Sequence, residues 1–222
     1  MKCMKYGVVG FSGRMGKEII NVFTDAGHEL VLKSDALGTE RGGRPDVILD
    51  FSSSAALPVT IALCEGYAAP LIAGTTALGD ADLTALKTLS EKVAVVQSFN
   101  FATGVTLLRM IMRDYAPLLE SWDLEIEETH HNKKKDAPSG TAILLRDATG
   151  RKNAPTHSMR IGGVPGDHSL RFGNEGEILT FAHRALSRGV FAIGALSAAA
   201  FAVEAKPGFY TFEDVLNKGR KV

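Results

Sequence analysis

Little in this sequence is extreme, and each shortage removes a class of protein. Only two of the 222 residues are cysteine, Cys3 and Cys64. Two thiols make neither a disulfide framework nor a metal-ligand spacing, so no metal site is expected and a reducing, cytoplasmic setting is the simplest reading. Net charge is lacking as well: 25 Lys and Arg stand against 25 Asp and Glu. Bulk electrostatics therefore draw the chain to neither nucleic acid nor membrane. Long apolar runs are missing too. The most apolar stretch, 189–205, is interrupted by Ser197 and meets Glu204, which fits a buried helix better than a membrane span. The apolar run after Lys5 is too short for a signal peptide. There is no internal repeat and no low-complexity segment. What remains, 45% hydrophobic and 23% charged, is the composition of a globular protein with one large domain or two small ones.

Periodicity then supplies an order of elements. Residues 5–9 read as a short buried strand, followed at once by Gly10, Gly13 and Gly16 and by an amphipathic run through Ile19, Ile20 and Phe23. Strands follow at 29–33, 46–50, 70–73 and 93–96, with helices at 55–66 and 80–91. Alternation of this kind implies a parallel sheet with helices on its faces. Residues 36–45 hold three glycines and a proline, so that crossover is expected to lack a full helix. After Asn100 the pattern changes. A long helix is expected over 103–119, and Leu124-Glu125-Ile126-Glu127-Glu128 alternates as a strand with one wet face. A helix starts at Ser139 or Thr141, an antiparallel pair is expected at 168–172 and 178–182, and an apolar helix at 189 to about 204. The fold class is thus α/β: a Rossmann-like parallel-sheet domain plus a mixed α+β domain. Ligands of such sheets sit beyond the carboxyl ends of the strands, which predicts a site in a cleft.

The glycine turn suits a pyrophosphate, because glycines admit close backbone approach and the helix beyond presents free N–H groups. Its spacing, Gly-x-x-Gly-x-x-Gly, is not the usual dinucleotide fingerprint, but strand, turn and helix surround it and Asp35 ends the next strand, where an acid accepts from ribose hydroxyls. Lys33 lies two residues before Asp35. An acid favours NAD and a cation favours NADP, so both together predict tolerance of either. Gly74-Thr75-Thr76 could touch cofactor or cap the helix near residue 80. Asn100 could bond a cofactor amide or serve as a hinge or cap, and Arg188 reads first as a salt-bridge or hinge residue.

The densest chemistry lies in Glu128-Thr129-His130-His131-Asn132-Lys133-Lys134-Lys135-Asp136-Ala137-Pro138-Ser139-Gly140-Thr141. Adjacent histidines on a strand point to opposite faces, so they take different jobs. Imidazole suits general acid catalysis near neutral pH. Lysines beside a helix start converge a cation and backbone N–H groups on one place. That combination fits a small dicarboxylate.

Together these residues resemble the dihydrodipicolinate reductase (4-hydroxy-tetrahydrodipicolinate reductase) family of bacterial lysine and diaminopimelate biosynthesis, over nearly the whole chain. Gly10-Phe11-Ser12-Gly13-Arg14-Met15-Gly16 is similar to its nucleotide loop. Asp50-Phe51-Ser52, Gly74-Thr75-Thr76 and Asn100-Phe101 resemble later cofactor-side motifs. The run from His130-His131 through Lys134 to Thr141 resembles its most specific signature, and Gly166-Asp167-His168 its Gly-Glu-His turn with Asp for Glu. The resemblance implies an oxidoreductase that delivers hydride from NADH or NADPH to an imine ring with two carboxylates. It implies a cofactor domain of residues 1–101 with 188–222, a substrate and tetramerisation domain of residues 102–187, and a homotetramer. It makes His130 and Lys134 the proton-handling pair. It makes His131, Ser139, Gly140 and Thr141 substrate contacts. Cofactor contacts would be Gly10, Phe11, Ser12, Gly13, Arg14, Met15, Lys33, Asp35, Gly74, Thr75, Thr76, Phe99, Asn100, Phe101 and Ala102. The chain departs from many relatives at Lys33-Ser34-Asp35, where they carry Glu-Arg, and in the shortness of 36–45. The competing readings are another two-domain dehydrogenase, acting on aspartate or a sugar acid, and a nucleotide sensor without turnover.

Overall fold

The computed structural model describes residues 3–218; the outermost ends of the expected cofactor domain lie outside the described residues. In chain order the elements are β1 (Lys5–Val9), α1 (Arg14–Asp25), β2 (Glu29–Asp35), β3 (Gly38–Arg41), β4 (Val47–Asp50), α2 (Leu57–Tyr67), β5 (Leu71–Ala73), α3 (Asp80–Ser90), β6 (Ala94–Gln97), α4 (Thr103–Tyr115), β7 (Asp123–His130), α5 (Gly140–Ala148), β8 (Thr156–Arg160), β9 (Asp167–Gly173), β10 (Ile178–Arg184), α6 (Gly189–Ala202), β11 (Gly208–Thr211) and α7 (Phe212–Asn217). They cluster into two compact units, Met1–Phe101 with Phe191–Val222, and Ala102–Val190.

The first unit is built on a seven-stranded sheet in the order β11-β6-β5-β4-β1-β2-β3. All pairings are parallel except β2 with β3. Strand side chains alternate between faces, and the core divides accordingly. Tyr6, Val8, Leu49, Ile72 and Val96 join Ile19 and Phe23 of α1 and the alanines of α6. Val9, Ile48, Leu71 and Val95 join Leu57 and Leu63 of α2 and Leu86 and Leu89 of α3. Both faces are covered, which is why these strands read as continuous apolar runs. At residues 36–45 the glycine-rich segment carries no apolar stripe to lay on the sheet. It forms β3 instead, an antiparallel edge with Leu32 opposite Arg41 and Asp35 opposite Gly38.

The second unit is a four-stranded mixed sheet, β10-β9-β7-β8. Its antiparallel pair β9–β10 was legible; β8, which pairs parallel to β7, was not. The expected helix over 103–119 divides into α4 and a 3-10 turn at Ala116–Leu119, where Pro117 ends the regular hydrogen bonding. Along β7 the buried positions are Leu124, Ile126, Glu128 and His130. The alternation thus carries Glu128 and His130 onto the dry side, with a core of Leu108, Met112, Leu145, Leu170 and Phe172. No helix among the described residues is long and apolar enough to cross a membrane.

One close approach gives a test of packing against propensity. A Cβ built on Gly194, inside α6, would stand 1.7 Å from the backbone oxygen of Phe101. Ala is favoured over Gly in a helix interior by about 1 kcal/mol. Gly194→Ala is nonetheless expected to destabilise the protein, read as a lower urea midpoint. A midpoint unchanged or raised would show that α6 does not need this contact.

Candidate active site

The carboxyl edge of the first unit's sheet gathers the loops after β1, β4, β5 and β6, the usual ligand side of a parallel sheet. Gly10 has φ 82°, and its N–H donates to the Ser34 carbonyl at 2.8 Å. A Cβ on Gly16 would lie 2.2 Å from the Gly10 oxygen, so α1 seats directly on the turn. Gly13 caps α1 without a side chain. Ser12, Gly13 and Arg14 are exposed, while Phe11 and Met15 lean on the core. A bare backbone cradle with an exposed helix start fits a pyrophosphate. Lys33 Nζ sits 5.4 Å from the centroid of the Phe11 ring and 2.7 Å from a Glu40 carboxylate oxygen. Asp35 accepts the Leu37 N–H at 2.8 Å, shaping the hairpin turn.

Gly74 lets the Phe51 ring lie directly on the backbone, since a Cβ there would fall 2.2 Å from that ring and force it to shift. Thr75 is buried and Thr76 exposed. Neither caps α3: Gly79 is the cap, its N–H bonded to Asp82 at 2.9 Å. Phe99 is exposed, and the Asn100 carbonyl accepts the Ser98 hydroxyl at 2.7 Å. Phe101 departs from the expected pattern. Its ring is buried between Phe51 and Phe212, at centroid distances of 5.5 and 5.1 Å, so only its backbone is left to meet a ligand. Ala102 is buried and opens the second unit as the cap of α4.

In the second unit the signature run folds around Glu128, whose side chain is fully buried. Arg160 grips it in parallel, Nη1 to Oε2 at 3.0 Å and Nη2 to Oε1 at 2.6 Å. The same guanidinium donates to the Asp136 and Met159 carbonyls. Oε1 also accepts the Ser139 N–H at 3.2 Å, and Oε2 meets Nδ1 of His130. Burial alone would raise the Glu128 carboxyl, but hydrogen bonds from Arg160, Ser158 and His130 outweigh it and hold its pKa at about 2. His130 is pushed below the ordinary imidazole range, first by burial and then by the charges of Lys134 and Arg160, against the raising pull of Glu128. With its Nδ1 proton on Glu128, His130 offers Nε2 for proton exchange, and Nε2 borders Gly166, where a Cβ would stand only 3.0 Å away.

His131 lies beyond the end of β7, half-buried, its Nδ1 enclosed without a hydrogen-bond partner. Of the three lysines only Lys134 is half-buried, paired to Asp136 at 2.8 Å; Lys133 and Lys135 are exposed. Ser139 is the cap of α5, its hydroxyl accepting the Ala142 N–H at 3.1 Å. It is 1% exposed and lies 3.3 Å from Nε2 of His168, so its polar atoms serve the fold. Gly140, exposed, and Thr141 open the helix at its positive end. His168 is held neutral, its pKa driven to about 3 by burial and then by His130. Glu128 and His168 stood inside quoted motifs without a role of their own, and Arg160 was not singled out from sequence. The available signal was parity: Glu128 and His130 share the period of Leu124 and Ile126.

The Glu128 carboxyl titrates near 2 when folded, below its ordinary value. It therefore stabilises the fold above about pH 4.5, and that contribution is lost as pH falls toward 2, on the order of 3 kcal/mol. Glu128→Gln is expected to flatten this acid limb in urea unfolding. Arg160→Met, which strands a buried carboxylate, is expected to cost about 3–5 kcal/mol at pH 7. Loss of under about 1 kcal/mol would mean that water already reaches the carboxylate.

Comparison with known proteins agrees with both halves of this geometry. Residues 4–101 match the family described as dihydrodipicolinate reductase, N-terminus, and residues 104–216 the one described as dihydrodipicolinate reductase, C-terminus. The 4-hydroxy-tetrahydrodipicolinate reductase of Thermosipho africanus is 49% identical over 215 residues, spanning 97% of this chain and 99% of that protein. That of Bdellovibrio bacteriovorus is 38% identical over 224 residues, 97% of each. Among solved structures, dipicolinate-bound dihydrodipicolinate reductase from Paenisporosarcina sp. TG-14 superposes with a TM-score of 0.78 at 22% identity, covering 94% of this chain and 97% of the other. Aspartate dehydrogenase from Thermotoga maritima shares the fold more distantly, TM-score 0.53 at 11% identity, covering 91% and 97%. On two family matches that tile the sequence, and on relatives aligned from end to end, the chain belongs to the dihydrodipicolinate reductase family.

Proposed function

We propose that this protein reduces 4-hydroxy-tetrahydrodipicolinate to tetrahydrodipicolinate with hydride from NADH or NADPH, in lysine and diaminopimelate biosynthesis. The observation that carries the reading is the buried Glu128–His130–Arg160 cluster set beside Lys134 and the start of α5.

The dinucleotide supplies hydride and is held by the glycine turn of the first unit. The second unit holds the ring. Lys134 and the N–H groups at Gly140 and Thr141 receive a carboxylate, and His131 presents its unpartnered imidazole to the same ligand. The ring takes up one hydride and one proton and releases its hydroxyl as water. The proton passes from Nε2 of His130, with Glu128 stabilising the imidazolium through Nδ1 and Lys134 sharing the charge. Residues 1–101 with 188–222 form the dinucleotide-binding part, and 102–187 the part that binds substrate and assembles. Assembly uses the sheet face that carries Glu127, Asp167, Arg171 and Arg184 around a concavity of about 600 Å³, with Ile178, Leu179 and Met159 exposed nearby. The same reading extends to a homotetramer, with light scattering as its measure. The cytoplasm is the compartment that keeps Cys3 and Cys64 as free thiols.

A coupled assay tests the reaction. Dihydrodipicolinate synthase makes the unstable substrate from pyruvate and aspartate semialdehyde, and loss of NADH or NADPH absorbance is followed. Oxidation that requires both enzymes is the expected result; binding of NADH with no oxidation would favour the sensor. His130→Gln and Lys134→Ala are each expected to lower kcat by about 100-fold or more with NADH affinity retained. Unchanged turnover in both would remove the proton-handling assignment.

A further inference from the structure

The hairpin of β2 and β3 carries an ion pair that the reaction above leaves unused. Lys33 and Asp35 stand two residues apart on β2 and share one face of it. β3 runs antiparallel beside them, with Glu40 opposite Lys33 and Gly38 opposite Asp35. The arm is held on both sides of Glu40. The Thr39 hydroxyl lies 2.8 Å from that of Ser34, and the Gly42 N–H donates to the Val31 carbonyl at 2.7 Å. Backbone pairing therefore brings the Glu40 carboxylate to Lys33 Nζ, at 2.7 Å. Arg41, next along the strand, belongs to the opposite face.

The position of this pair gives it a consequence. Lys33 Nζ lies 5.4 Å from the centre of the Phe11 ring in the glycine turn. The Ser34 carbonyl, between Lys33 and Asp35, accepts the Gly10 N–H at 2.8 Å. The end of β2 is thus tied to the turn, where a Rossmann-like sheet meets the adenosine ribose. Of the three charged groups on this face, two are carboxylates. Asp35 accepts the Leu37 N–H through Oδ1, and its other oxygen has no partner among the described residues. A ribose 2′-hydroxyl donates to such an oxygen. A 2′-phosphate brings about two negative charges and needs a cation, and the ammonium on this face is already held by Glu40.

We propose that Glu40 is a specificity-determining residue that sets the choice between NADH and NADPH, by neutralising Lys33 and so disfavouring the 2′-phosphate. The inference rests on the dinucleotide reading above and adds to it a selector on β3, outside the residues that hold the cofactor. Lys33 and Asp35 are equal rivals along the sequence. The hairpin makes them unequal, because it gives the cation a carboxylate of its own and leaves the acid an open oxygen. Selection against the phosphate works here by charge, not by a steric block, since Glu40 is exposed.

Binding of NADH and of NADPH, each followed by its own fluorescence, is the test. Glu40→Gln is expected to tighten NADPH about fivefold at low salt, with NADH changed by less than about twofold. The gain should shrink near 0.5 M salt, where exposed charges are screened within about 4 Å. Glu40→Arg, which adds a cation, should move the ratio of the two affinities further the same way. The double variant Glu40→Gln/Lys33→Met should lose the gain, since Lys33 is the group that Glu40 releases. The proposal is overturned if the ratio in Glu40→Gln equals that of wild type, if both cofactors tighten alike, or if the gain persists without Lys33. Glu40 lies exposed on an edge strand, so its variants are expected to melt as wild type does, and Glu40→Arg decides the ratio by itself should Glu40→Gln not fold. Failure of the wild-type protein to bind either dinucleotide is a separate outcome, which removes the dinucleotide reading and this inference with it.

Discussion

A fully buried negative charge at Glu128 constrains the second unit more than any other group. Taking a carboxylate out of water costs several kcal/mol unless geometry and hydrogen bonds offset it. Here the offset comes from four segments at once: His130 two residues along the same strand, Arg160 at the end of β8, the Ser139 N–H at the cap of α5, and the Asp136 carbonyl that shares the guanidinium. Each of these segments is placed by the charge it must satisfy. The parallel pairing of β7 with β8 sets His130 opposite Arg160, and Ser139 fixes where α5 begins. The start of α5 and the His130 imidazole are therefore held by the same carboxylate.

The two units solve a similar problem with opposite chemistry. Glu128 is neutralised by a guanidinium. Asp50 is satisfied by neutral donors alone, the hydroxyls of Ser52, Thr60 and Thr75 and the Ser52 N–H. Burial makes both durable, because hydrogen bonds to an enclosed charge are stronger than those in water.

Periodicity made much of this legible. The strand–glycine–helix opening, the parallel alternation and the β9–β10 pair could be read because they bury regular apolar stripes. Elements without such stripes could not. β3 is an exposed hairpin arm, β8 buries no residue fully, and β11 is half-exposed along its length. The resemblance made Phe101 a cofactor contact, and spacing could not show that its ring packs between Phe51 and Phe212, the latter brought in by α7. Lys33 and Asp35 were read as rival signals for the cofactor's 2′ position. Glu40, brought opposite Lys33 by the hairpin, and the Leu37 N–H on Asp35 engage both, a long-range effect that spacing does not encode.

The same limit explains why the histidines could be found but not ranked. Sequence shows two adjacent imidazoles among lysines; the fold shows that one completes β7 on the dry side and the other lies past its end. Burial, Lys134 and Arg160 push the His130 pKa below the ordinary imidazole range, while Glu128 pulls the other way. A ligand bearing two carboxylates adds to the Glu128 side of that balance and removes water besides. Protonation of His130 therefore depends on which charges stand beside it. Each cation in the cluster already has its own anion, Arg160 with Glu128 and Lys134 with Asp136, so the imidazole shares Glu128 with the guanidinium rather than holding a carboxylate of its own.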